Sequence, residues 1–139
     1  MELKRFLDAQ NQVYLGALSE IKKGKKTSHW MWYVFPQLKG LGKSETSNSY
    51  AISDLAEANS YAAHPVLGKH LVEISEALLQ LNVHSAEEIF GYPDNLKLKS
   101  CMTLFAKTDN AHTVFAEVLE KYFKGIPDER TLQMIKSEN

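Results

Sequence analysis

At 139 residues, 44% apolar and 24% charged, the chain has the length and composition of one soluble globular domain able to bury its own core. Four prolines and seven glycines exclude a low-complexity polymer, and no apolar run approaches the roughly 20 residues of a membrane span. The net charge of −1 hides a division: residues 1–43 carry eight Lys/Arg against three acids, a net of +5, and residues 44–139 carry eight against fourteen, a net of −6. Much of the basic excess lies in Lys22, Lys23, Lys25 and Lys26. Such a cluster suits a solvated helix C-terminus, and the domain as a whole lacks the basic balance of a nucleic-acid binder. The first ten residues, MELKRFLDAQ, lack the apolar core of a secretory signal. A single cysteine, Cys101, allows no internal disulfide and points to a reducing, cytoplasmic home.

Leu3, Phe6, Leu7, Val13, Tyr14, Ala17, Leu18 and Ile21 recur at helical spacing, which predicts one amphipathic helix over residues 2–22. Gln10 falls within that apolar stripe. A polar side chain there needs a hydrogen-bond partner, so it is either a core strut or the wall of a pocket. Gly24 and the lysines end the helix. The block His29–Phe35, HWMWYVF, would send aromatics in all directions as a helix and to both faces as a strand, so it must be buried on more than one side. A short helix capped by Ser28 and closed before Pro36 is the favoured reading. Residues 36–52 show neither period, and a loop of that length inside a compact domain is usually functional.

Helix resumes at Ser53, with Asp54 and Glu57 complementing its N-terminal dipole, and runs to about Ala63. Pro65 opens a helix carrying Val66, Leu67, His70, Leu71, Ile74, Ala77, Leu78 and Leu81. Ser85 with Glu88 forms a capping box on a short helix ending at Gly91. Leu98, Cys101, Met102 and Phe105 form the stripe of the helix after Pro93. Val114, Phe115, Val118, Leu119 and Tyr122 mark another, closed by Gly125 and Pro127. A last short helix starts at Asp128. Sustained period-2 alternation is absent, so the expected architecture is all-α: a single compact domain over residues 1–139, with about six or seven helices and a long internal loop at residues 36–52.

Several segments together resemble the family catalogued as domain of unknown function 1810. They are Arg5-Phe6 with Ala9-Gln10, the run from Ser28-His29-Trp30-Met31-Trp32 to Phe35-Pro36-Gln37, Gly40-Leu41-Gly42 with Ser44, and Tyr50-Ala51-Ile52. His64-Pro65 with Leu67-Gly68, Ile89-Phe90-Gly91, and Lys97-Leu98-Lys99-Ser100 leading into Met102-Thr103-Leu104-Phe105 complete the set. The resemblance spans nearly the whole chain and implies an all-helical fold without naming a reaction. A looser similarity is to the NADAR group, whose name marks an association with NAD and ADP-ribose chemistry. The acidic and tryptophan positions of that group do not align onto this chain.

Four features carry candidate chemistry. In the loop 39–49, glycines let backbone N–H groups converge while Lys39, Lys43, Ser44 and Ser47 supply charge and hydroxyls, which suits a phosphate. The bland alternative is a surface loop whose Gly and Ser merely permit turns. Trp30 and Trp32 can stack on a base or nicotinamide-like ring, although core packing is the commoner fate of aromatics at this density. His29, between Ser28 and Trp30, can act as acid or base if buried beside that loop. The five histidines show no close metal spacing, so no metal site is expected. Lys97, Ser100 and Thr103 lie on the polar face of their helix, where a solvated surface explains them adequately. The family resemblance gives them more weight. Cys101, on the apolar stripe, reads as an inert core thiol.

The sequence thus leads to the expectation of a domain that binds a small anionic metabolite, phosphorylated or nucleotide-like, such as an ADP-ribose derivative. His29, Gln37, Lys43, Ser44 and Ser47 would contact it, Trp30 or Trp32 would wall it, and Gln10 would add a hydrogen bond. Hydrolysis of a glycosidic or phosphate-ester bond is the reaction such a site would perform, but no complete catalytic set is visible. No cofactor is implied. The competing expectation is a protein-interaction module that docks a partner through an exposed aromatic loop.

Overall fold

A computed structural model describes residues 3–138. The expected first residue of helix one, Glu2, lies outside the described residues. Among the described residues nine α-helices follow one another: α1 (Lys4–Lys22), α2 (Met31–Val34), α3 (Glu45–Ser49), α4 (Leu55–Ala63), α5 (Leu67–Leu79), α6 (Ala86–Phe90), α7 (Asp94–Ala106), α8 (Val114–Phe123) and α9 (Glu129–Ser137). The expected six or seven helices fall short, and the element not foreseen is α3: at five residues, inside the stretch expected to be a loop, it is too brief to display an apolar period.

The organising element is α7, which packs against α4, α6, α8 and α9. Ser100 to Phe105 are all buried, so the C-terminal half of this helix is enclosed on every side, and Ser100 and Thr103, expected on a solvated polar face, lie inside the fold. Its two buried hydroxyls are satisfied locally: Ser100 donates to the Leu96 carbonyl at 3.2 Å and Thr103 to the Lys99 carbonyl at 2.8 Å. Helix α5 packs against α1, α4 and α8. At its C-terminal end, the Lys121 ammonium from α8 collects the carbonyls of Leu78, Leu79 and Leu81, orphans that a cation suits.

Helix α1 buries Phe6, Gln10, Tyr14, Ala17, Leu18 and Ile21, the stripe its spacing predicts. Asp54 rather than Ser53 caps α4, accepting the Glu57 N–H at 2.8 Å. Ser85 caps α6 through the Glu88 N–H, and Gly24, Gly91 and Gly125 occupy positive φ after α1, α6 and α8. Gly68 serves a close approach: a methyl group there would lie 2.1 Å from the Ala62 carbonyl oxygen, so the α4–α5 corner closes only around a bare Cα.

The long loop is ordered by three devices. Leu38 and Ile52 form an isolated parallel bridge, with the Ile52 N–H on the Gln37 carbonyl and the Lys39 N–H on the Ile52 carbonyl, both 2.8 Å. Ser44 caps α3 within it, accepting from the Ser47 N–H at 3.0 Å. Arg5 reaches from α1 to the carbonyls of Ser49 and Ala51 and to Glu57 Oε1 at 3.0 Å. Glu57 is therefore not a free dipole-complementing acid. It is 5% exposed and also accepts the Ser53 N–H, which closes the base of the loop.

Candidate functional site

The aromatic block enters the fold through Glu20, near the end of α1. Its carboxylate accepts the Thr27 N–H (2.7 Å), the Ser28 N–H (3.0 Å), the Ser28 hydroxyl (2.6 Å) and the Trp30 indole N–H (2.8 Å). Burial pushes this carboxyl up, but those four hydrogen bonds favour the anion more and hold its pKa at about 2. Ser28 is consequently not the cap of α2. Trp30 occupies that position without a side-chain cap, because Glu20 has taken the Ser28 hydroxyl.

Trp30 is 2% exposed and packs edge-on to Phe90. Lys26 sits 5.2 Å from its ring centroid and pairs with Asp94 at 3.0 Å. Trp32 is half-buried. The Lys97 ammonium lies 4.7 Å from its ring centroid and also reaches Asp94, at 3.3 Å. Two lysines thus share one carboxylate, leaving one net positive charge beside the indole. Two buried polar atoms, Trp32 Nε1 in α2 and Asn95 Oδ1 in the first turn of α7, have no hydrogen-bond partner among the described residues.

The structure brings Trp32 and Lys97 together, and Ser44 with Ser47, whose hydroxyls are 2.7 Å apart. It does not bury His29, which is exposed, so the burial on which its acid–base role depended is lacking. The chain alternates here: Trp30 turns into the core and its neighbour turns out. Lys43 is also exposed. Ser47 fills the inside of the loop, so close that a methyl group on Gly42 would meet its Oγ at 2.4 Å. Gln37 is 7% exposed at the foot of the same loop. Ser100 bonds its own helix, and Thr103 accepts the Asp128 N–H at 2.8 Å, fixing the start of α9 rather than facing a ligand.

Gln10 is both strut and wall. It is 3% exposed, bonds Tyr33, Tyr61 and His70, and lines a cavity of about 330 Å³ with Leu7, Asp8, Asn11, Val66 and His70. A larger cleft of about 910 Å³ lies between α4, α5 and the α7–α8 turn. Glu73, Glu76 and Asp109 face it against Lys69 alone, over Leu71, Val72 and Phe115, so its sign is wrong for an anion. Neither cavity is lined by the Gly40–Ser49 stretch. Among the described residues no three His, Cys, Asp or Glu converge to hold a metal.

The family model for a protein of unknown function, DUF1810, matches residues 1–135. The chain belongs to the DUF1810 family. A solved structure supports the architecture: the crystal structure of a conserved hypothetical protein from Mycobacterium tuberculosis is similar at 47% identity, with a TM-score of 0.94. The match covers 97% of this chain and 96% of that one. Comparison with curated proteins gives no match. Sequence reasoning missed Glu20, Lys26 and Asn95. Only the basic run containing Lys26 gave a signal: its partner Asp94 comes from α7, the donors to Glu20 come from the turn after α1, and the burial of Asn95 is set by packing.

Proposed function

We propose that this DUF1810 domain binds a small phosphorylated or nucleotide-like metabolite at the junction of α2 and the start of α7. Trp32 supplies the aromatic wall, Lys97 and Lys26 the positive charge, and Trp32 Nε1–H and Asn95 Oδ1 a donor and an acceptor. The observation that carries this reading is the unpartnered state of those two buried atoms. Each such group costs about 1–3 kcal/mol when left unsatisfied, and a ligand edge that accepts from the indole and donates to the amide removes that cost. Lys97 covers the ring and swings onto the phosphate when it arrives.

The burial of Trp30 at 2% exposure takes it out of any exposed aromatic patch, which counts against the docking reading. Localisation in the cytoplasm fits such a role. The test is a thermal-shift panel of ADP-ribose, NAD, nucleotides and sugar phosphates. A ligand at a hundredfold excess over its Kd stabilises by about 2.7 kcal/mol, which is several degrees in midpoint. We expect that rise for at least one member, and its loss in Trp32→Phe, which removes the indole N–H, and in Lys97→Gln. A flat profile on well-folded protein overturns the reading.

A further inference from the structure

The hydrogen bonds around Gln10 fix the tautomer of a histidine outside the anion site. Gln10 Nε2 donates to the Tyr33 carbonyl at 2.7 Å and to the Tyr61 hydroxyl at 2.8 Å. The Tyr33 carbonyl only accepts, so the amide cannot be turned the other way without setting oxygen against oxygen. Gln10 Oε1 is therefore the atom that faces His70 Nδ1 at 2.9 Å. An amide oxygen only accepts, so Nδ1 carries the proton and Nε2 of the neutral ring is left with a lone pair.

The ring is also held in place. Tyr14 stacks on it with centroids 3.7 Å apart and planes within 8°, while the Tyr14 hydroxyl bonds the His70 carbonyl and Glu73. Burial, with help from Lys69, lowers the pKa of the imidazole against the opposing pull of Glu73, so it stays neutral at physiological pH. Among the described residues Nε2 has no protein partner, and His70 lines the 330 Å³ cavity with Asp8, Asn11, Leu7 and Val66.

We propose that this cavity is a binding site for a sugar, whose hydroxyls donate to His70 Nε2 and Asp8 while its C–H face rests on Leu7 and Val66. The lining offers two acceptors, one amide that both donates and accepts, and two apolar walls, which is the complement of a hydroxylated ring. Lys4 sits beside the cavity but is paired with Asp8 Oδ2 at 2.7 Å, leaving Oδ1 for the ligand and no unpaired cation to attract an anion. A sugar can arrive free or as part of a nucleoside, and the recognition chemistry is the same. The proposal stands apart from the anion site, since none of these residues belongs to it.

Long-range ¹⁵N correlations of the imidazoles test the premise, with His70 expected as the Nδ1–H tautomer. Titration with D-ribose and with adenosine then tests the site. A saturable shift of the His70 Nε2 resonance is expected with at least one. Response to ribose marks a free sugar as sufficient, and response to adenosine alone marks a nucleoside-borne one. His70→Asn keeps a donor near the Nδ1 position for Gln10 and, being shorter, places no acceptor at the Nε2 position, so affinity falls about tenfold or more. Should that variant not fold, Asp8→Ala on the exposed α1 surface, which removes the carboxylate acceptor altogether, reads the same loss. An Nε2–H tautomer, the absence of a saturable shift with both probes, or undiminished binding by the folded variants overturns the proposal.

Discussion

Glu20 holds four donors that would otherwise be left open where the chain turns into the aromatic block. Glu20→Ala should lower stability by about 1–3 kcal/mol, toward the low end because the carboxylate is partly solvated, and urea unfolding at neutral pH measures it. The sign of the acid response follows from the pKa. The folded value of about 2 lies below the ordinary 4.5, so the contribution is full above pH 4.5 and is lost as pH falls toward 2. The Ala variant should therefore lose less stability than the parent across that window. None of this is visible in sequence, because a glutamate ending an amphipathic helix carries no mark of donors seven, eight and ten residues later. Gln10 is the opposite case. A polar residue in an apolar stripe announces that partners must exist, although Tyr61 and His70 are named only by the packing of α4 and α5 on α1.

At the scale of elements, two glycines in helices make opposed predictions. Gly68→Ala drives a methyl group to 2.1 Å from the Ala62 carbonyl oxygen and should destabilise by about 1–3 kcal/mol. Gly16, exposed within α1, has open space at its Cβ position, so Gly16→Ala should stabilise by about 0.5–1 kcal/mol. Paired chemical denaturation curves check both. Long helices were legible because their stripes repeat over several turns. The stretch 36–52 was legible only as an exception to periodicity. Its order comes from Arg5, forty-four residues or more from the carbonyls it holds, and from a bridge between Leu38 and Ile52, neither of which leaves a local pattern. The loop uses its hydroxyls on itself, which is why residues that read as phosphate ligands, Ser44 and Ser47, form a helix cap instead.

At the scale of the molecule, the division of charge between the first 43 residues and the rest is reconciled by folding. Arg5 pairs with Glu57, and Lys26 with Asp94, each joining the basic segment to the acidic one. Enclosure of the Ser100–Phe105 stretch of α7 makes it the last region to meet solvent. Cys101 is fully buried and burial raises its thiol pKa, so a thiol reagent should react with the native protein only as fast as it unfolds, and at once in denaturant. Fast reaction with the folded protein would contradict that arrangement. The central claim is the anion site at Trp32, and two tryptophans allow it to be read directly. In a ¹H–¹⁵N spectrum during titration with the metabolite panel, the Trp32 indole N–H should move downfield and saturate as it gains an acceptor, while that of Trp30, already bonded to Glu20, stays in place. A static Trp32 resonance with every member of the panel, or movement of Trp30 alone, would contradict the account.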